Sequence, residues 1–258
     1  MRKWKLMFTT LPFVAGVTML KLVLDKGLGF SGVVEFSDVG IVLTGGVFLL
    51  GFMLAGTMAD YKEAEKIPGE VATTLETIEE IFVLAATGRP ALKLPELRRQ
   101  VLGLVEDIKA WILKKKQTSE MFAAMTRMTG TIRQLERDGA GPYASRAVPQ
   151  VLMLRKNLQR IDVISRTGFL PPAYALLEVL LAMILALLLV AKFKSLIAEL
   201  ILVPFVTLVN VYMLRLIKDV DDPFDYQPDG THKGGAEVEL YPLDDYRERL
   251  AKRLDDAA

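Results

Sequence analysis

The chain has 258 residues, 52% of them hydrophobic and 24% charged, with 32 Lys+Arg against 31 Asp+Glu. It is too apolar to be disordered, and a formal net charge of +1 supplies no global field for nucleic-acid binding. With no Cys and one His, His232, disulfides, thiolate metal sites, a Cys nucleophile and a His-pair zinc site are all excluded.

The apolar residues are gathered near both ends. Arg2, Lys3 and Lys5 precede an uncharged stretch from Leu6 to Leu20, which Leu22–Leu24 extend past Lys21. A basic start before an apolar run also fits a signal peptide, but Lys21–Lys26 directly after the run is charged and bulky rather than a small-x-small cleavage segment, so the stretch reads as a retained first span. Val39 to Ala59 is 21 residues without a charge. At ~1.5 Å rise per residue that crosses the ~30 Å hydrocarbon core. Ala59-Asp60-Tyr61-Lys62-Glu63-Ala64 keeps good helix formers while turning polar, so this helix is expected to run on to Ile67-Pro68-Gly69.

A polar region follows. Val71, Leu75, Ile78 and Phe82 recur at helical spacing and stop at Gly88-Arg89-Pro90, and Leu97, Val101, Leu104 and Ile108 form a second stripe ending in Lys114-Lys115-Lys116. Ser119–Asp138 and Tyr143–Arg166 make two more helices around Gly139-Ala140-Gly141-Pro142. These stripes read as core packing rather than cofactor boxes. Gly168 to Ala191 contains only Glu178 as a charge, and Leu200 to Leu214 contains none, which gives two further spans around a turn at Lys192–Glu199.

The expected fold is an all-α polytopic membrane protein with four transmembrane helices in two hairpins and a cytosolic helical domain between them. Its parts are residues 1–59 (first hairpin), 60–167 (cytosolic helical domain), 168–217 (second hairpin) and 218–258 (cytosolic C-terminal tail). Lys and Arg flanking the spans place both termini and the central domain in the cytoplasm, with Lys192 and Lys194 against the rule. Lys21 is expected to snorkel, and Asn210 to hydrogen-bond between helices. Glu178, an intramembrane acid, reads equally as a functional or a structural group. His232 lies in an evident loop and is expected to be exposed. No phosphate loop, nucleophile elbow or supported acid pair is present, so no enzyme is expected.

The second span carries the most specific pattern. Gly51, Ala55 and Ala59 repeat every four residues, the spacing that lets helix backbones approach closely in lipid. Thr44, Phe48 and Phe52 are also four apart and make a polar-then-aromatic stripe. Such a stripe suits either a constricted pore in a symmetric ring or ordinary aromatic packing.

Phe48-Leu49-Leu50-Gly51-Phe52, leading into Asp60-Tyr61-Lys62-Glu63-Ala64, resembles the second transmembrane helix of bestrophin and bestrophin-like channels. Asp221-Asp222-Pro223-Phe224 and Leu240-Tyr241-Pro242-Leu243-Asp244-Asp245 resemble the segments that follow the membrane region in that family. The order of hairpin, helical insert, hairpin and tail is similar as well. The resemblance implies a homopentameric ion channel of the cell inner membrane, working with lipid and inorganic ions. Its pore neck would be Thr44, Phe48 and Phe52. Thr44 departs from the Phe or Ile expected there, and Asp60 stands where eukaryotic members carry a basic residue, so neither anion nor cation selectivity is assigned. Eukaryotic relatives bind calcium through an acidic cluster after the last span, which makes Asp219, Asp221 and Asp222 candidate ion ligands, with no other cofactor implied. The rival reading is a non-conducting, membrane-anchored helical scaffold or sensor that binds a cytosolic partner.

Overall fold

The computed structural model describes residues 4–30, 32–168, 170–227 and 229–256. Arg2 and Lys3 of the charge argument and Pro228 of the His232 loop lie outside them. Among the described residues the chain forms α1 (Lys5–Leu22), α2 (Phe36–Ala64), α3 (Ile67–Ala86), α4 (Leu94–Ile112), α5 (Thr118–Leu135), α6 (Gly141–Arg166), α7 (Pro171–Val190), α8 (Leu196–Asp221) and α9 (Tyr241–Asp255). Two-residue strands, β1 (Val34–Glu35) and β2 (Ala191–Lys192), pair in parallel, a contact no sequence periodicity announced. Gly32 makes it possible. Its φ is +80°, and a Cβ there would meet the Lys192 backbone nitrogen at 2.9 Å.

Four helices are long and apolar enough to cross a membrane, and their apolar stretches are those of α1, α2, α7 and α8. Only 17% to 33% of each apolar window is buried within the chain. Their remaining surface therefore needs lipid or another copy of the chain.

The chain divides into two compact units. A membrane unit comprises the described residues of Met1–Tyr61, Gly168–Asp222 and Gly234–Ala236. A polar unit comprises those of Lys62–Thr167, Pro223–Lys233 and Glu237–Ala258. In the membrane unit α1 packs along α8, and Leu50, Met53, Leu177, Leu214 and Ile217 form a core joining α2, α7 and α8.

Three boundaries differ from the sequence reading. The break after α2 falls at Glu65-Lys66, and Ile67-Pro68-Gly69 is the first turn of α3, where a proline loses no intrahelical hydrogen bond. The turn after α7 ends at Ser195, whose hydroxyl accepts from the Ala198 N–H at 3.2 Å and starts α8 early, so Glu199 is helical. The tail contains α9, an amphipathic helix opened by Pro242 in its first turn.

Three polar residues are also corrected. Lys21 does not snorkel: it is 1% exposed, with its ammonium donating to Asp25 Oδ1 at 2.9 Å and to the carbonyls of Leu189 (3.1 Å) and Ala191 (2.7 Å). Those carbonyls end α7, where a cation is favoured. Asn210 bonds within its own helix, its Nδ2 donating to the Val206 carbonyl at 2.9 Å. His232 is half-buried, because its loop folds back in a bridge with Tyr226.

The polar unit is closed by charge as well as by apolar contact. α3 packs on α6, α4 and α9 around Leu75, Ile78 and Phe82, all fully buried. Gly139, at φ +80°, turns the chain between α5 and α6. α9 buries Leu243, Tyr246 and Leu250, and the Tyr246 hydroxyl donates to the Leu75 carbonyl at 3.2 Å. Burial beside Glu79 and Glu76 pushes that phenol far above its ordinary pKa. Glu79, 1% exposed, accepts from Arg98 Nε at 2.9 Å and from Arg253. Glu76 accepts from Arg249 at 2.8 Å and Arg253 at 3.0 Å. Desolvation of Glu76 opposes ionisation, but these hydrogen bonds outweigh it and hold the carboxyl below its usual value.

Candidate functional site

The geometry of α2 divides its residues between two opposite faces. Val39, Gly46, Leu50, Met53 and Thr57 are buried in the membrane unit. They recur at intervals of three, four and seven, one stripe of a 3.6-residue helix. Gly46 faces α7: a Cβ there would lie 2.7 Å from Ile184 Cδ1.

The opposite face carries the predicted site. Thr44 is exposed, Phe48 is 76% exposed and Phe52 67%. Gly51, Ala55 and Ala59 are exposed on the same face, and Gly51 has open space where a Cβ would be. The small triad and the aromatic stripe therefore interleave on one outward surface, whereas the sequence reading gave packing to the former and lining to the latter. Packing within the chain falls instead to Gly46 and its stripe, which the Gly45-Gly46 pair signalled. The Thr44 hydroxyl donates to the Gly40 carbonyl at 2.9 Å, which satisfies its proton and leaves oxygen lone pairs facing out.

The acids after the last span do not converge. Asp219 accepts from the Gly235 N–H at 2.9 Å, Asp221 places its carboxylate 2.7 Å from where a Cβ on Gly168 would be, and Asp222 caps α8. Among the described residues no group of three or more His, Cys, Asp or Glu side chains is placed to hold a metal ion. A calcium cage needs six to eight oxygens, which backbone carbonyls and water share with carboxylates. Glu178 pairs with Lys218 at 2.6 Å, both about half exposed.

No family model matches the chain, and no curated protein matches it in sequence. Solved structures do. A bacterial bestrophin homolog from Klebsiella pneumoniae superposes with a TM-score of 0.74 at 14% identity, covering 96% of this chain and 98% of that one. A variant of the same homolog gives 0.74 at 14% identity over 98% and 96% of the two chains. A crystallised membrane-protein variant gives 0.76 at 13% identity over 96% and 99%. The molecule is thus an all-α polytopic membrane protein. Its fold is bestrophin-like, over essentially the full length of both chains.

Proposed function

We propose that the chain forms an oligomeric ion channel of the bestrophin-like kind, a homopentamer in the bacterial inner membrane with α2 of each subunit lining an axial pore. One observation carries this reading. The uncharged outward face of α2 interleaves Gly51, Ala55 and Ala59 with Phe48 and Phe52, while the opposite face is already used inside the chain. Small residues let neighbouring helices approach closely, and close approach brings the two phenyl rings of every subunit around one axis. Rings of phenyl groups make a hydrophobic constriction that gates by dewetting, with the Thr44 oxygens as a polar ring beside it. Val39 to Ala59 holds no charge, so selectivity in that stretch would rest on hydroxyl and ring dipoles rather than on a charged ring. The distribution of Lys and Arg supports a cytoplasmic side for both termini and the polar unit.

The test is ion flux from liposomes together with the mass of the detergent-solubilised oligomer. The expected result is a pentamer whose flux rises several-fold in Phe52→Ala. A monomer or dimer removes the axial pore. A ring without flux, unchanged by Phe52→Ala, favours the membrane-anchored scaffold or sensor instead.

A further inference from the structure

The chain passes from α2 to α3 beside a cavity of about 530 Å³ that lies wholly within the polar unit. Its walls are the last turn of α2, the start of α3 and the stretch of α6 from Lys156 to Val163. That volume suits a small organic ligand and far exceeds what a halide ion fills. Two of the charges lining it are spent on each other, because Arg160 donates to both Glu63 oxygens, at 2.8 and 2.5 Å. Lys66 and Lys156 also line it, both exposed, and neither forms an ion pair among the described residues. Glu70 is the remaining acid, so two ammonium groups face one carboxylate and the cavity favours an anion.

Asn157 gives the second, independent observation. It lines the same cavity and is 7% exposed, yet its Nδ2 has no hydrogen-bond partner among the described residues. Asn210 shows the ordinary remedy, its Nδ2 donating to the carbonyl four residues back. A donor buried without a partner is costly, and an acceptor supplied by a ligand removes that cost. The donors come from two helices, and the oxygens of a tetrahedral phosphate, unlike those of a planar carboxylate, spread widely enough to meet both. Glu63 stands four residues past Ala59, the end of the uncharged run. That is about 6 Å of helix rise, the depth of lipid headgroups.

We propose that this cavity binds a phosphate group, carried by a lipid headgroup or free in solution, with Lys66, Lys156 and the Asn157 amide as its donors. Arg160 stays on Glu63 and holds the wall between α2 and α6. The site stands independently of the axial pore.

The test is thermal unfolding of the delipidated full-length protein in detergent, with inorganic phosphate, phosphatidylglycerol or phosphatidylcholine added at constant ionic strength in chloride. The expected result is a saturable rise in midpoint with phosphate or phosphatidylglycerol, weakened about tenfold or more in apparent affinity by Lys66→Gln/Lys156→Gln. Asn157→Leu should unfold no earlier than wild type without ligand, since it removes an unsatisfied donor, and should lose the ligand-induced rise. A rise with inorganic phosphate identifies the free anion as the source, and a rise with phosphatidylglycerol alone identifies the headgroup. Lys66 and Lys156 are exposed, so their double variant tests the site even if Asn157→Leu fails to fold. The proposal is overturned by no saturable rise with either ligand, by an equal rise with phosphatidylcholine or added chloride, or by a rise that survives in the lysine variant.

Discussion

The two units bury their surfaces by different means. The polar unit spends its charged residues internally: Glu79 is buried between Arg98 and Arg253, and Glu76 joins α3 to α9 through two guanidinium groups. The membrane unit, beside ties such as Lys21 to Asp25, is held by close packing, with Gly46 against Ile184 and an apolar core. Its largest exposed side chains, Phe48 and Phe52 among them, are those a soluble unit would hide. Water explains the difference. In an aqueous unit apolar burial drives packing and leaves charges to fix partners, whereas in lipid the hydrophobic drive between helices is absent and close packing takes its place.

That contrast can be broken most forcefully at Glu79. Glu79→Ala removes the buried acceptor of Arg98 and one of the two acceptors of Arg253, and should destabilise the polar unit by about 1.5–3 kcal/mol, measured by thermal unfolding in detergent. A neutral outcome would mean that Glu76 and apolar contact suffice to dock α9. In the membrane unit, Gly46→Val forces a methyl-bearing carbon into Ile184 and should cost about 1–3 kcal/mol. Gly51→Ala, facing open space within the chain, should leave monomer stability unchanged and alter only the mass distribution of the oligomer. Equal losses at both glycines would erase the distinction between the inner and outer faces of α2. Tyr246→Phe removes the bond to the Leu75 carbonyl and should cost about 0.5–1.5 kcal/mol in the same assay.

The smallest expected effect is one of pH. Glu76 is held below its ordinary value of about 4.3. Its contribution is therefore complete above that pH and is lost as pH falls through the lower folded value. Proteolytic release of α9 should rise on acidification below about pH 4, and Glu76→Gln should weaken that dependence, Glu79 remaining as a second carboxylate partner of Arg253.

Much of the fold was legible in the sequence because long uncharged runs have one physical solution in a bilayer, and because helical stripes such as Val71, Leu75, Ile78 and Phe82 require a core to face. α9 escaped notice, although Leu243, Tyr246 and Leu250 recur at helical spacing: a charged 15-residue helix is not stable by itself and forms against α3 and α4. The candidate site was legible as residues and not as a surface. Thr44, Phe48 and Phe52 stood out by spacing, but periodicity alone does not say which of several apolar stripes on α2 faces its own chain.

By itself, the sequence determined the four apolar crossings, the polar helices between them and the absence of cysteine chemistry, all of which follow from composition and local period. Only the tertiary structure decided that Gly46 rather than Gly51 meets α7, and that Lys21 is buried rather than snorkelling, bonded to the carbonyls of Leu189 and Ala191. Those outcomes join residues as far apart as Lys21 and Ala191, and contacts across such separations depend on how helices dock, which no local pattern encodes.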